Sequence, residues 1–230
     1  MTRDGSRKAG RSMATIQSVT KMTDNRFVNL YNVEGVNSKG HHSCYNVASR
    51  ARSIGELKLT THANPPDGVA IYAIVRGEEK NGASGEDRVV LVHQYRYPID
   101  GYLYEFPAGL MESGESIHEA AVREMHEETG LILTPLSVDP MYEAPRFTTV
   151  GMTDESVAMV YGYASGEVST DYEEPAEEIG IVLADRREAA RILREERVAV
   201  QCAYQLMHFL ADPEPFAFLR RASEGRDDLP

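Results

Sequence analysis

The stretch Gly109–Leu131, GLMESGESIHEAAVREMHEETGL, constrains this chain more than any other. Ser116 and Glu119 occupy the two positions of a capping box, Ile117, Ala121 and Met125 recur on one face, and Gly130 suits the position just past a helix end. The pattern predicts a helix that carries Glu124, Glu127 and Glu128 within two turns. Residues three and four apart on a helix are neighbours, so these carboxylates repel one another unless a cation lies among them. A divalent metal ion is the expected cation. Mg²⁺ takes hard oxygen ligands and keeps several waters, so a few carboxylates suffice to hold it. Arg123 is placed to pair with Glu115, which would tie the preceding loop to the helix. The competing reading is a solvated charged face, the commoner fate of a charge run, but here Arg123 alone offsets the clustered acids.

Several function classes are excluded by composition. A net charge of -12 argues against general binding to nucleic acid or anionic lipid, although placed arginines and metal ions can still hold an anionic substrate. No apolar run approaches the roughly 20 residues that span a bilayer. Residues 1–25 are polar and basic, lack the apolar core of a signal peptide, and read as a disordered leader in which Met13 or Met22 could be the start. Cys44 and Cys202 have no metal-ligand spacing and suit a reducing cytoplasm.

Strand signals flank the acidic helix. Phe27–Val36 and Ser43–Ser49 around a Ser38-Lys39-Gly40 turn read as a hairpin, giving a small antiparallel β subdomain over residues 26–66. Such a piece is marginal alone and should pack on the main domain or on a second subunit. Asn64-Pro65-Pro66-Asp67-Gly68 is the clearest break. The main domain is expected over residues 67–212, with strands at Val69–Val75, Arg88–Tyr95, Tyr102–Phe106, Ser156–Tyr163 and Ile179–Leu183. Asp185 and Glu188 cap a helix, and Ala199 to Leu210 follow helical spacing. Gly77 and Gly82 have P-loop spacing, but Ala83 stands where lysine is needed, so a Walker motif is rejected. Residues 213–230 read as a peripheral tail. The strand and helix order suggests an α/β sandwich rather than a parallel doubly wound sheet, preceded by the small β subdomain.

Gly109, Glu115, Arg123-Glu124, Met125, Glu127-Glu128, Gly130 and Leu131 fill every specified position of the signature of the Nudix hydrolases, which this chain resembles. The resemblance implies an α+β fold, an α/β/α sandwich on a mixed sheet preceded by the small antiparallel β subdomain, and a Mg²⁺-dependent hydrolase, with Mn²⁺ a substitute. Glu124, Glu127 and Glu128 would serve the metals and catalysis, Glu115 and Arg123 would hold them in place, and Gly109 and Gly130 would shape the site.

Three further stretches resemble the ADP-ribose pyrophosphatase branch: Gln94-Tyr95-Arg96, Glu105-Phe106-Pro107-Ala108-Gly109, and Gly151-Met152-Thr153-Asp154-Glu155. By that likeness Arg96 reaches the substrate phosphates, Glu105 lines the substrate site and the Ala108 carbonyl is a metal ligand. Val150 stands where the branch usually has proline. The resemblance also implies a homodimer exchanging its N-terminal hairpin, with the adenosine pocket in that region. Phe27 or Tyr31 could stack on adenine, but each is more simply read as a packed strand residue. A general base or further metal ligand is expected from the acidic loop before the strand at Ile179, with Glu177 first and Glu174 and Glu178 as rivals. The implied reaction is hydrolysis of ADP-ribose to AMP and ribose 5-phosphate. Two alternatives stay open: another nucleoside diphosphate sugar such as GDP-mannose, and a non-catalytic nucleotide sensor.

Overall fold

The computed structural model of the chain describes residues 14–77, 85–172 and 178–224. They form two compact units. One comprises residues 14–65 with Phe147–Ser156, the other residues 66–146 and those from Val157 onward.

The first unit is a three-stranded antiparallel sheet in the order β1 (Thr15–Lys21), β2 (Asn29–Val36), β3 (His42–Ser49). Asn37 builds the β2–β3 turn: its side-chain oxygen accepts from the amides of Lys39 at 2.9 Å and His41 at 3.1 Å. Gly40 supplies the positive φ of 84° that this turn requires. Tyr31 on the central strand is fully buried and donates its hydroxyl to the Ala51 carbonyl at 2.7 Å. A single helical turn, α1 (Lys58–Thr61), follows the buried Leu57. The Gly151–Glu155 stretch belongs to this unit. The Ala48 amide donates to the Met152 carbonyl at 2.9 Å, the Tyr45 hydroxyl donates to the Gly151 carbonyl at 2.6 Å, and Arg50 pairs with Glu155 at 3.1 Å.

Strand β1 corrects the reading of residues 1–25 as a disordered leader for its described part, because Thr15–Lys21 is hydrogen-bonded along β2; residues 1–13 lie outside the described residues. Its β-branched Thr15, Ile16, Val19 and Thr20 favour strand, but most of it is exposed, so it carries little of the apolar signal by which a strand is recognised. The expected strand boundaries of the hairpin otherwise shift by a residue or two.

The second unit is built on a mixed sheet. In chain order its elements are β4 (Gly68–Val75), β5 (Arg88–Arg96), β6 (Gly101–Glu105), β7 (Ala108–Leu110), α2 (Ile117–Thr129), β8 (Ile132–Pro135) and α3 (Pro140–Glu143). The two-residue β9 (Arg146–Phe147) leads out to the first unit, and β10 (Ser156–Ser165) leads back. Then come β11 (Ile179–Ala184), α4 (Arg186–Glu195), α5 (Val200–Ala211) and α6 (Ala217–Glu224). The strand order is β11-β5-β4-β10-β8, with β6 beside β5 and β7 beside β4. The pairing of β4 with β10 is parallel and its neighbours are antiparallel.

Strand β4 is apolar throughout because both of its faces are covered. Val69, Ile71 and Ala73 pack with Ala120, Ala121 and Met125 of α2 on one side. Tyr72 and Ile74 pack with Ile192 of α4 and with Leu206 and Phe209 of α5 on the other. Period-two alternation thus puts helices on both faces, as the sandwich expectation requires.

The segment from Pro215 to Leu219 is not peripheral. Phe216 and Leu219 are buried in the α4–α5 core, and the Tyr72 hydroxyl donates to the Pro215 carbonyl at 3.3 Å. The Tyr72 ring meets Phe106, Phe216 and Phe218 edge-on, with centroids 5.6, 5.6 and 6.2 Å away. Arg186 clamps the approach by donating to the carbonyls of Asp212 and Pro213 at 2.8 and 2.7 Å. Pro213 and Pro215 mark the end of one helix in the sequence, and they hide the aromatic return that follows. Replacing Phe216 with alanine is expected to cost about 3–5 kcal/mol of stability, read as a lower denaturation midpoint in urea. An unchanged midpoint would show that this segment does not close the core.

Candidate active site

Helix α2 begins and ends as its sequence dictates. The Ser116 side chain accepts from the Glu119 amide at 3.3 Å, and the Glu119 carboxylate accepts from the Ser116 amide at 2.8 Å. Gly130 terminates it at φ 71°, and a Cβ there would lie 2.8 Å from the Ser169 amide nitrogen. The apolar stripe buries Ala120, Ala121 and Met125 against the sheet. The acids are thereby turned toward β7, which pairs with β4 through Ala70–Ala108 and Val69–Gly109.

Glu128 is almost fully buried, and its carboxylate accepts from the Ala108 amide at 3.1 Å. Glu124 lies against Gly109: a Cβ at that glycine would sit 1.9 Å from the carboxyl carbon. Burial raises the pKa of Glu124 above the ordinary glutamate value, against the lowering pull of Arg123. Arg123 organises the remainder. It donates to both oxygens of Glu115 at 3.0 Å, to the Leu110 carbonyl at 3.0 Å, to Glu124 at 2.7 Å and to Glu127 at 3.0 Å. The paired guanidinium holds the Glu115 carboxyl below its usual range, helped by the Glu112 amide, which donates to it at 3.0 Å. Arg123 is held more firmly protonated by the same contact.

This donor set suits a hard divalent cation. Glu124 and Glu128 flank the Ala108–Gly109 peptide, the space at Gly109 is taken by a carboxylate, and a partly buried carboxyl gains from a positive charge nearby. Glu127 is nearly half exposed and turned to Arg123. Among the described residues no three His, Cys, Asp or Glu side chains are gathered in metal-holding geometry. The sequence-predicted acids are therefore brought together around Arg123 and around β7 as two adjoining groups.

Arg96 and Glu105 form a second pair, with Nε donating to Oε2 at 2.6 Å. Register aligns Val92 with Glu105, and Val90, Val92, Gln94 and Arg96 alternate onto one face of β5. Val90 packs in the α2-side core, so Arg96 and Glu105 stand on the face that carries α2. Glu178 is placed differently. The Tyr102 hydroxyl donates to its carboxylate, and Tyr102 pairs across the strands with Tyr95 on the opposite face. Glu174 and Glu177 lie outside the described residues.

The two histidines of α2 lie at or near the surface and make contacts there: His118 meets Glu143 of α3 at 2.6 Å, and the His126 ring meets Tyr172 edge-on at 4.4 Å. Neither position is specified by a motif, and no local pattern links a histidine to a partner 25 residues away. Only the packing of α3 reveals that contact.

The NUDIX domain family profile matches residues 66–200, which hold all of these groups. A protein named putative nudix hydrolase 2 from Caenorhabditis elegans is 33% identical over 134 residues, covering 58% of this chain and 53% of that protein. An ADP-ribose pyrophosphatase from Saccharomyces cerevisiae is 35% identical over 97 residues, 42% of this chain and 40% of that one. An ADP-sugar pyrophosphatase from Mus musculus is 38% identical over 82 residues, 35% of each chain. The chain thus spans about half or less of the length of these curated relatives. The crystal structure of an ADP compounds hydrolase superposes on 96% of this chain and 99% of that one, with a TM-score of 0.56 and 18% identity, a likeness of fold. With its signature helix, its sandwich and a profile match over more than half its length, the chain belongs to the Nudix family.

Proposed function

We propose that this protein hydrolyses the diphosphate of ADP-ribose, giving AMP and ribose 5-phosphate. The observation that carries the reading is the α2 site itself: Glu124 and Glu128 flank the Ala108–Gly109 peptide, while Arg96 and Glu105 stand on the same side of the sheet. Support for the substrate comes from relatives named ADP-ribose and ADP-sugar pyrophosphatase.

In this reading Glu124, Glu128 and the Ala108 carbonyl would hold Mg²⁺ or Mn²⁺, with Glu127 beside them. The bound metal would neutralise phosphate charge and favour ionisation of a water. Arg96 binds diphosphate oxygens, and Glu105 fixes the Arg96 side chain and lines the substrate site. Water forms a new P–O bond, the bridging P–O bond breaks, and a carboxylate of the acidic loop accepts the proton. Glu177 or Glu174 takes that part. Glu178 is occupied by Tyr102 on the opposite face and is set aside. Glu115 and Arg123 act through the other acids as positioning residues.

The three-stranded unit exposes Ile16, Leu30 and Tyr45, and it is proposed to pair two copies as a homodimer and to contribute the adenosine pocket. A cytoplasmic location fits two free cysteines, and among the described residues no helix is long and apolar enough to cross a membrane.

Three substitutions and one substrate panel test the reading. Glu128→Gln should lower Mg²⁺-dependent turnover of ADP-ribose by about a thousandfold while leaving the circular dichroism spectrum intact; retained turnover would sink the mechanism. Gly109→Ala should do comparable damage from outside the acid set, because its methyl must displace the Glu124 carboxylate. Arg96→Ala should raise KM for ADP-ribose by about tenfold or more, the loss of one charge-assisted contact. Phosphate-ester release from ADP-ribose, GDP-mannose, NADH and diadenosine compounds ranks the substrates, and no turnover on any of them would favour a sensor.

A further inference from the structure

The opposite side of the second unit holds a cavity of about 380 Å³, within the size range of small-molecule sites. It lies at the far end of β4 from β7. Ala70 pairs with β7, whereas Arg76 at the cavity follows Val75, roughly 20 Å further along the strand. Its floor is apolar, made by Leu136, Val138, Phe216 and Leu219, with Tyr163 as a wall. The Tyr163 and Phe216 rings meet edge-on at 5.1 Å.

The charges around this cavity are unevenly satisfied. Arg220 pairs with Glu214 at 3.3 Å, and the Asp139 carboxylate accepts from the Met141 amide at 3.0 Å to cap α3. Arg76 has its guanidinium stacked 4.2 Å from the Tyr163 ring centre and donates to the Tyr163 hydroxyl. Among the described residues it pairs with no carboxylate. Tyr163 holds the guanidinium through its ring and its hydroxyl, and the remaining N–H groups can donate to a planar carboxylate. An apolar floor beside a held cation with no acidic partner among the described residues matches one ligand chemistry: a small carboxylate on a flat or short-chain apolar body.

We propose that this cavity is a second ligand site, taking such an amphipathic carboxylate with its head on Arg76 and its body on Phe216, Leu219 and Val138. The site is separate from the α2 acids by position and by sheet face. Occupation would secure the segment after Pro213 to the sheet, because Phe216 and Leu219 line both the cavity and the core.

The test is isothermal titration of the whole chain with 3-phenylpropionate and octanoate, and with neutral 3-phenylpropanamide. Saturable binding of at least one carboxylate is expected, weakened about tenfold in the amide and in Arg76→Leu, and unchanged in Glu128→Gln. Val138→Trp, which fills the floor, should abolish binding, and its thermal midpoint shows whether it has folded. ADP-ribose turnover by Arg76→Leu should equal that of the wild type. No saturable binding of either carboxylate, or binding equal in the wild type and Arg76→Leu, would overturn the proposal.

Discussion

One guanidinium holds the acidic end of this fold together. Arg123 satisfies Glu115 in a bidentate fork and still reaches Glu124, Glu127 and the Leu110 carbonyl, so a single cation fixes three carboxylates and a loop. Lysine could not substitute, since one ammonium cannot present the same planar fork. Glu115 is what orients that fork. It lies outside the helix and reaches back across the turn, so the loop at Glu112–Glu115 is positioned by the same contact that spaces the acids of α2.

The other fixed point is the close approach of α2 to β7. Gly109 has no side chain, and the Glu124 carboxyl occupies the volume a methyl would need, while Glu128 receives the neighbouring amide of Ala108. Burying two carboxylates there carries a desolvation cost, visible in the raised pKa of Glu124. Strand β4 makes that geometry rigid. Its residues alternate between two cores, and it holds β7 in register on one half of its length.

Much of this was legible in the sequence where local chemistry decides the structure. The capping box, the apolar stripe and the glycine at the helix end each have a local cause, and helix α2 follows from them. The Glu115–Arg123 tie was also readable, since spacing and charge leave Arg123 one obvious partner outside the helix. Strand β1 was not, because a strand held mainly by backbone hydrogen bonds to β2 shows no amphipathic pattern. The burial of Phe216 was hidden for another reason: its partners, Tyr72 and Tyr163, are remote in sequence, and the prolines around it speak only of chain direction. The contacts of Glu178 and His118 depend on which face of a sheet or which loop lies opposite, and tertiary packing alone settles that.

The first unit is discontinuous in sequence, and this bears on how the protein is made. Strands β1 to β3 leave the ribosome before the rest of their unit: the Met152 carbonyl, the Gly151 carbonyl and Glu155 that complete their hydrogen bonding follow only after the long segment 66–146. At ordinary elongation rates that delay is on the order of ten seconds. During it an antiparallel sheet with exposed apolar residues stands unfinished, a state in which strand edges are prone to pair with other chains. Nascent-chain factors that cap open strand edges would therefore meet strands β1 to β3 before the signature helix has been synthesised.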